Sequence, residues 1–271
     1  MLCFPNCKIN IGLFVTRRRD DGYHDIETVF YPVDKHDTLE IAPANETKLH
    51  ISGLSIAGNN SDNLVWKAYQ LLKNRFPGKI PPLDIYLHKA IPMGSGLGGG
   101  SADGAFMLRL LNDQYKLGLT IEELVSLALQ LGSDCPFFIY NKPQFATGRG
   151  EIMSDIPIDL SRYSIQLVCP HVHVSTAKAF SLLTPKPAPY DLRRLNELPI
   201  EEWKAIISND FEEPVFQLHP KLRAIKDQLY EQGALYAAMS GSGSAIYGIF
   251  PEKQMATIKS DVPVDIFYIQ D

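Results

Sequence analysis

A chain of 271 residues with only four cysteines, Cys3, Cys7, Cys135 and Cys169, has little from which to build a disulfide framework. None of them forms a C-x-x-C pair, and the spacing of Cys3 and Cys7 suits neither a zinc site nor a redox motif. Reduced thiols, mostly buried, and a cytoplasmic location are the expectation. Positive charge is also scarce: 26 Lys and Arg face 31 Asp and Glu, a formal net charge of −5. That balance excludes the basic stripe of a protein that coats a nucleic-acid polymer. It leaves room for a small phosphorylated ligand, because a few local donors outvote a mild net charge. No apolar run approaches the roughly 20 residues that span a bilayer. Residues 1–10 hold Pro5, Asn6 and Lys8 and lack the apolar stretch of a secretory signal. Repeats and low-complexity tracts are missing too. What is present is an ordinary globular composition, 45% apolar and 21% charged, long enough for one large domain or two modest ones.

Residues 8–15 alternate cleanly, with Ile9, Ile11, Leu13 and Val15 on one face, as a half-buried strand requires. Lys8, Asn10 and Gly12 then share the other face. Strands are also expected at 37–42, 48–54 and 83–89. Ser61 is a candidate N-cap for a helix with Leu64, Val65, Ala68, Leu71 and Leu72 on one stripe, stopped by Pro77-Gly78. Thr120-Ile121-Glu122-Glu123 is a capping-box pattern opening a helix that ends at Gly132. After Gly150 the texture changes. A strand is expected at 163–169, a Pro-rich loop at 184–191, a helix starting at Pro220 and closed by Gly233, and strands at 234–239, 245–250 and 265–269. Strands and helices are mixed rather than strictly alternating, which favours α+β over a doubly wound parallel sheet.

The strongest local signal is Pro92-Met93-Gly94-Ser95-Gly96-Leu97-Gly98-Gly99-Gly100-Ser101, followed by a segment apolar enough for a buried helix. Five glycines in seven positions remove Cβ atoms where backbone amides approach something closely or adopt positive φ. A glycine loop running into a helix N-terminus presents free N–H groups and a positive dipole end to a phosphate. A flexible linker is the alternative, but Ile91, Leu97 and the helix bracket the run. It lacks the lysine of the Walker A loop and fails the dinucleotide G-x-G-x-x-G spacing at its last position. It resembles the phosphate loop P-x-x-[GS]-G-L-G-[GS]-S of the GHMP kinases, the superfamily of galactokinase, homoserine kinase and mevalonate kinase. Cys7-Lys8-Ile9-Asn10-Ile11 resembles that family's first motif, and Ser240-Gly241-Ser242-Gly243-Ser244, between two apolar strands, falls at its last. The resemblance covers essentially the whole chain. It implies an α+β two-domain GHMP kinase fold, with an N-terminal domain like ribosomal protein S5 domain 2 (1–155) and a ferredoxin-like C-terminal domain (156–271).

Arg19-Asp20-Asp21-Gly22-Tyr23-His24 narrows the match, and Leu131-Gly132-Ser133-Asp134-Cys135-Pro136-Phe137-Phe138 agrees with it. Both are similar to the GHMP kinases whose substrate is a cytidyl diphosphate alcohol of the non-mevalonate isoprenoid pathway. The resemblance implies transfer of the ATP γ-phosphate, with Mg²⁺ carried on ATP, to the 2-hydroxyl of 4-diphosphocytidyl-2-C-methyl-D-erythritol. ATP would be held by Pro92, Gly94, Ser95, Gly96, Leu97, Gly98, Gly99, Gly100 and Ser101. Phosphoryl transfer needs positioning, charge neutralisation and a group to take the hydroxyl proton. Asp134, expected at a helix-to-strand junction, is the candidate base, with Lys8 near it. Asn10, Tyr23, His24, Thr176, Phe180, Gly241 and Ser242 are the candidate substrate residues, with Tyr23 and Phe180 as the aromatic faces for cytosine. No dedicated metal cluster is expected, since His171 and His173 have no nearby third ligand. Ser95, Ala102 and Gly104 depart from the family's usual residues, and Gly104 costs about 1 kcal/mol of helix propensity. Two other readings stay open at this stage: another small-alcohol kinase of the superfamily, and a nucleotide-binding paralogue without activity.

Overall fold

The computed structural model describes residues 1–55 and 59–270. In chain order, its elements are strands β1 (Leu2–Cys3), β2 (Asn6–Arg18), β3 (His24–His36), β4 (Thr38–Pro43) and β5 (Lys48–Gly53), helix α1 (Leu64–Arg75) and strand β6 (Leu83–Lys89). Helices α2 (Gly99–Gln114), α3 (Ile121–Leu131) and α4 (Cys135–Tyr140) follow, then strands β7 (Gln144–Thr147), β8 (Ile152–Asp155) and β9 (Tyr163–Pro170). The remainder is α5 (Thr176–Ser181), α6 (Ile200–Ile206), α7 (Glu212–Leu218), α8 (Pro220–Glu231), β10 (Tyr236–Met239), β11 (Ile246–Pro251) and β12 (Val264–Ile269). This is the mixed α+β arrangement that the sequence pattern implies. The chain forms two compact units interleaved in sequence. The first is Met1–Cys7, Lys35–Met93 and Gly98–Lys142, and the second is Lys8–Asp34, Gly94–Leu97 and Pro143–Asp271. The division expected at 155/156 cuts the chain once, whereas the backbone passes between these units several times.

In the first unit one sheet runs β1-β4-β6-β5, with β4 antiparallel to both neighbours and β5 parallel to β6 across the α1 connection. Along β6, Leu83, Ile85 and Leu87 are buried while Tyr86 and His88 are exposed, the period-two pattern of a strand with one covered face. Lys89 continues the buried series. Helices α1 to α4 pack on one another. At Gly104 a Cβ would come within 2.9 Å of Leu64 Cβ, so the glycine that weakens α2 locally is what lets α1 approach it. The Thr120/Glu123 capping box forms as expected: the Thr120 side chain accepts from Glu123 N, and Glu123 Oε2 accepts from Thr120 N. The α1 cap differs from expectation. Asn63 is the N-cap, its side chain accepting from Val65 N at 2.9 Å, because Ser61 is taken up in a 3₁₀ turn over Asn60–Asp62.

The second unit carries two sheets, β2-β3-β7-β8 and β10-β11-β9-β12, the latter antiparallel throughout. A core of Val168, Met239, Ile246 and Phe250 from that sheet packs with Leu222, Ile225 and Leu229 of α8 and Val215 and Phe216 of α7. Pro220 opens α8 at its first position, where its missing N–H costs nothing. The alternation in β2 is real, but the half-buried expectation is not met: residues 6–15 are buried on both faces. The polar face of Lys8 and Asn10 is therefore interior, and every polar atom on it must find a partner.

Candidate active site

Lys8 is 3% exposed, which rules out a merely solvated lysine. Its Nζ donates to Asn10 Oδ1 at 2.7 Å and to the Gly96 carbonyl at 2.9 Å, and lies 5.1 Å from the centre of the Phe30 ring. Its backbone N–H donates to the Leu97 carbonyl at 3.0 Å. One residue of β2 thus grips the glycine loop by main chain and side chain. The second glycine turn grips the same place. Ser240 Oγ donates to Gly96 O at 2.9 Å, and Ala245 N donates to Ser95 O at 2.9 Å. Asn10 is held in turn, its Nδ2 donating to Thr28 Oγ1 at 3.0 Å and its carbonyl accepting from Tyr247 OH at 2.7 Å. All of these groups belong to the second unit.

Gly96 is indispensable on two counts. Its φ is +82°, and a Cβ would be driven into the Ser240 carbonyl. Gly94 also has positive φ, +67°, but a Cβ there meets nothing within 4 Å. Gly94→Ala is therefore expected to carry only backbone strain, about 1 kcal/mol, whereas Gly96→Ala should cost about 3 kcal/mol or more. Urea unfolding of the two variants, with ATP KM measured alongside, checks this ranking. Equal losses would show that the packing against Ser240 is immaterial.

The other end of the glycine run opens α2 in the first unit. Gly98 is its N-cap at φ +74°, and the first turn holds no acidic residue. The amides of Gly99, Gly100 and Ser101 have no partner within the helix, so with the dipole they offer an anion site. A Cβ at Gly99 would press on Ile91 at 2.9 Å, while at Gly100 it would meet only Met93 Cε at 3.6 Å. Gly99 is glycine for packing; Gly100 keeps the open side clear.

Ser101 hydrogen-bonds to the Cys135 thiol, which burial pushes up to about 12. The first turn of α2 and the start of α4 therefore meet, with Asp134 as the α4 N-cap residue. The expected helix-to-strand junction at Asp134 is in fact a helix-to-helix junction, because Pro136 at the start of α4 favours a new helical turn. The Asp134 side chain makes no capping hydrogen bond.

Of the expected substrate residues, the second unit brings two pairs together. Thr176 Oγ1 and Ser242 Oγ lie 2.8 Å apart, and the His24 ring stacks on Phe180 with centroids 4.9 Å apart at 19°. Phe180 thus carries His24 on its face. Tyr23 is 57% exposed and carries the Arg149 guanidinium at 5.0 Å instead. The turn before it is braced by Asp21, whose carboxylate accepts from Arg19 and from Tyr23 N. The hydrogen bond from Arg19 holds Asp21 below the usual carboxylate range. Gly241 has φ +56° and packs on Gly96. Ser240 and Tyr247 clamp Gly96 and Asn10 without being among the expected site residues: Ser240 enters the sequence reading only as part of the second glycine turn, and a tyrosine inside a strand carries no local mark. Among the described residues, no group of three or more His, Cys, Asp or Glu is placed to hold a metal ion, and His171 pairs with Asp265 at 2.9 Å.

A buried lysine on the first long strand, clamped to a glycine loop that a second glycine turn braces, is the arrangement that the motifs lead one to expect of a small-molecule kinase. The chain belongs to the GHMP kinases: residues 63–142 match the model of the GHMP kinases N terminal domain, and 193–263 that of the GHMP kinases C terminal. Within that superfamily it belongs with the 4-diphosphocytidyl-2-C-methyl-D-erythritol kinases. It is 51% identical to the enzyme of that name from Bacteroides fragilis, over 95% of this chain and 94% of the relative. The relative from Cytophaga hutchinsonii is 46% identical over 93% of each chain. A crystal structure of a 4-(cytidine 5'-diphospho)-2C-methyl-D-erythritol kinase matches with a TM-score of 0.74 and 31% identity, covering 92% of this chain and 90% of the other. No helix among the described residues is long and apolar enough to cross a membrane.

Proposed function

We infer that the protein transfers the γ-phosphoryl group of ATP to the 2-hydroxyl of 4-diphosphocytidyl-2-C-methyl-D-erythritol, giving the 2-phosphate and ADP. The observation that carries this is the interior grip of Lys8 on Gly96, set in a chain half identical to enzymes bearing that name. In the step, the hydroxyl oxygen forms a bond to the γ-phosphorus and the bond from phosphorus to the β,γ-bridging oxygen breaks, its electrons leaving on ADP. The hydroxyl proton passes to Asp134. Lys8 supplies positive charge for the reacting oxygens, and the amides of Gly98, Gly99, Gly100 and Ser101, with the loop from Pro92 to Leu97, hold the phosphates.

Ser101 and Asp134 are the oxygen donors that would meet a Mg²⁺ carried on ATP, which would neutralise charge on the phosphates. Tyr23, His24 and Phe180 receive the cytosine. Asn10, Thr176, Gly241 and Ser242 offer hydrogen bonds to the rest of the substrate. Residues 1–155 form the N-terminal, ATP-binding GHMP kinase domain in this reading and 156–271 the C-terminal one, a division supported by family-model matches at 63–142 and 193–263. A cytoplasmic location agrees with nucleotide chemistry and free thiols.

Purified protein with ATP, Mg²⁺ and a panel of alcohols tests the reading. ADP should form with the cytidyl substrate and not with homoserine, mevalonate or galactose. Turnover of one of those instead would place the chain in another branch, and no turnover at all would mark a silent nucleotide-binding protein.

A further inference from the structure

Between α6 and the first residue of α7 runs a short stretch, residues 208–212, that neither the family motifs nor the hydrophobic periodicity single out. Asn209 is 3% exposed, and its side chain is fully used. Nδ2 donates to the carbonyls of Met239 at 2.7 Å and Gly241 at 2.8 Å, and Oδ1 accepts from Phe211 N at 2.9 Å. Glu212 completes the hold on the same strand end: Oε1 accepts from Met239 N at 2.8 Å, and Oε2 accepts from Lys226 at 2.6 Å. On the other side the stretch is tied to β2. Leu13 N donates to Ser208 O at 2.9 Å, Asp210 N donates to Leu13 O at 2.8 Å, and Asp210 Oδ2 accepts from Val15 N at 2.8 Å. Phe211, buried, sets its ring edge-on to Phe180, with centroids 4.7 Å apart at 89°, and Phe180 in turn carries His24.

We propose that residues 209–212 are a positioning element that sets two parts of the substrate site from one anchor: Asn209 fixes the second glycine turn, and Phe211 fixes the plane of Phe180. This rests on the assignment of Phe180, His24 and Gly241 to the substrate under the proposed function. The physical case is one of over-determination. A turn with a positive-φ glycine and an aromatic ring on a six-residue helix are both weakly held by their own elements, and both take their geometry from a stretch pinned to β2. The two links have different consequences. The Gly241 turn packs on Gly96, so a change at Asn209 reaches the ATP loop as well. The Phe211 ring itself meets the aromatic stack, while the Asn209 hold on the turn runs through main-chain atoms that a side-chain change at Phe211 leaves in place, so loss of the ring falls on the cytidyl substrate.

Asn209→Ala and Phe211→Leu test the proposal, with Asn209→Ser and Phe211→Met as milder replacements should either fail to fold by circular dichroism. Phe211→Leu is expected to raise KM for the cytidyl substrate roughly two- to tenfold, the value of one aromatic pair, with ATP KM unchanged. Asn209→Ala is expected to raise both KM values. A readout free of substrate is the His24 Cε1 proton in the ligand-free protein, assigned with His24→Gln. The Phe180 ring should shift it upfield, and Phe211→Leu should move it back towards the free imidazole position. A His24 signal unmoved in folded Phe211→Leu, both KM values rising together in that variant, or wild-type KM values in folded Asn209→Ala overturns the proposal. If the wild type does not turn over the cytidyl substrate, the functional reading fails while the His24 measurement still decides the positioning claim.

Discussion

Replacing Lys89 by methionine is expected to destabilise the protein by about 3–5 kcal/mol, the usual cost of leaving a buried ion pair half-made. Lys89 is completely buried at the end of β6, and its ammonium bridges two carboxylates, Asp37 Oδ2 in a short contact and Asp103 Oδ2 at 2.6 Å. Asp37 Oδ1 accepts from the amides of Ala90 at 2.6 Å and Ile91 at 2.9 Å, the residues that lead into the glycine run. Asp103 Oδ1 has no hydrogen-bond partner among the described residues. Methionine matches the lysine stem in volume and keeps its packing, but two acids would then face each other without a cation. Urea unfolding at pH 7 measures the loss, and removing the acids as well, in Lys89→Met with Asp37→Asn and Asp103→Asn, should recover a large part of it. A loss below about 1 kcal/mol in the single variant, no more than an exposed pair is worth, would show that the cluster contributes little net stability.

The same cluster sets a pH dependence whose sign can be worked out. Burial, opposed by Lys89 and reinforced by the Asp37 charge, pushes Asp103 up to about 7 from an ordinary value near 4. The charged groups that act on Asp103 are Lys89 and Asp37, and Asp103 in turn acts on the Cys3 thiol. Between those two values the native state holds a proton that the unfolded chain has released, so stability is greatest on the acid side and falls as pH rises through about 7. In Asp103→Asn that decline should flatten between pH 5 and pH 8, because the amide has nothing to ionise. A wild-type profile flat over the same range would mean that Asp103 stays ionised beside Lys89.

The residues best read from the sequence are those whose signal is local. The capping box at Thr120 and Glu123, Pro220 at the head of α8 and the alternation of β2 each follow from neighbours within a turn or two, and each forms. What was not legible depends on partners far along the chain. Ser61 and Asn63 are equally good caps in isolation, and only the 3₁₀ turn over Asn60–Asp62 decides between them. Lys89 sits in register with Leu83, Ile85 and Leu87, but its burial requires Asp37, 52 residues away. Local pattern alone would place such a lysine in water. Residues 209–211 lie between two seven-residue helices, Glu212 opens the second, and the stretch carries no period at all, so its grip on Met239 and Gly241 shows only in three dimensions. Family motifs bridged part of this gap. They brought Lys8, Gly96 and the turn of Ser240 and Gly241 forward together, whereas Tyr247 and Asn209, which help to hold them, lie outside what local pattern reports.

Asp134→Ala is expected to lower kcat by about 10²–10⁴-fold, the usual contribution of a positioned general base, with ATP affinity retained. The backbone supports this separation of effects. Asp134 precedes α4 with helical φ and ψ of −84° and −16°, and its side chain makes no capping hydrogen bond to that helix. Truncating it therefore spares the helix the loss of about 1 kcal/mol that follows when a true cap is removed. The residues that hold the junction in place, Cys135, Pro136, Phe137 and Phe138, are buried and untouched by the change. Gly98, Gly99, Gly100 and Ser101, the residues proposed to hold the phosphates, keep their own geometry at the start of α2. A drop in kcat with unchanged melting temperature and unchanged nucleotide affinity by calorimetry is the expected pattern. Asp134→Asn sharpens it, since the amide preserves the shape but loses the negative charge and with it the ability to accept a proton, so its kcat should fall nearly as far as that of the alanine variant. If the asparagine variant keeps most of the turnover, Asp134 orients the substrate and the hydroxyl proton leaves by another route. If the alanine variant keeps it too, Asp134 has no part in the transfer, and Lys8 and the glycine loop carry it by positioning and charge alone.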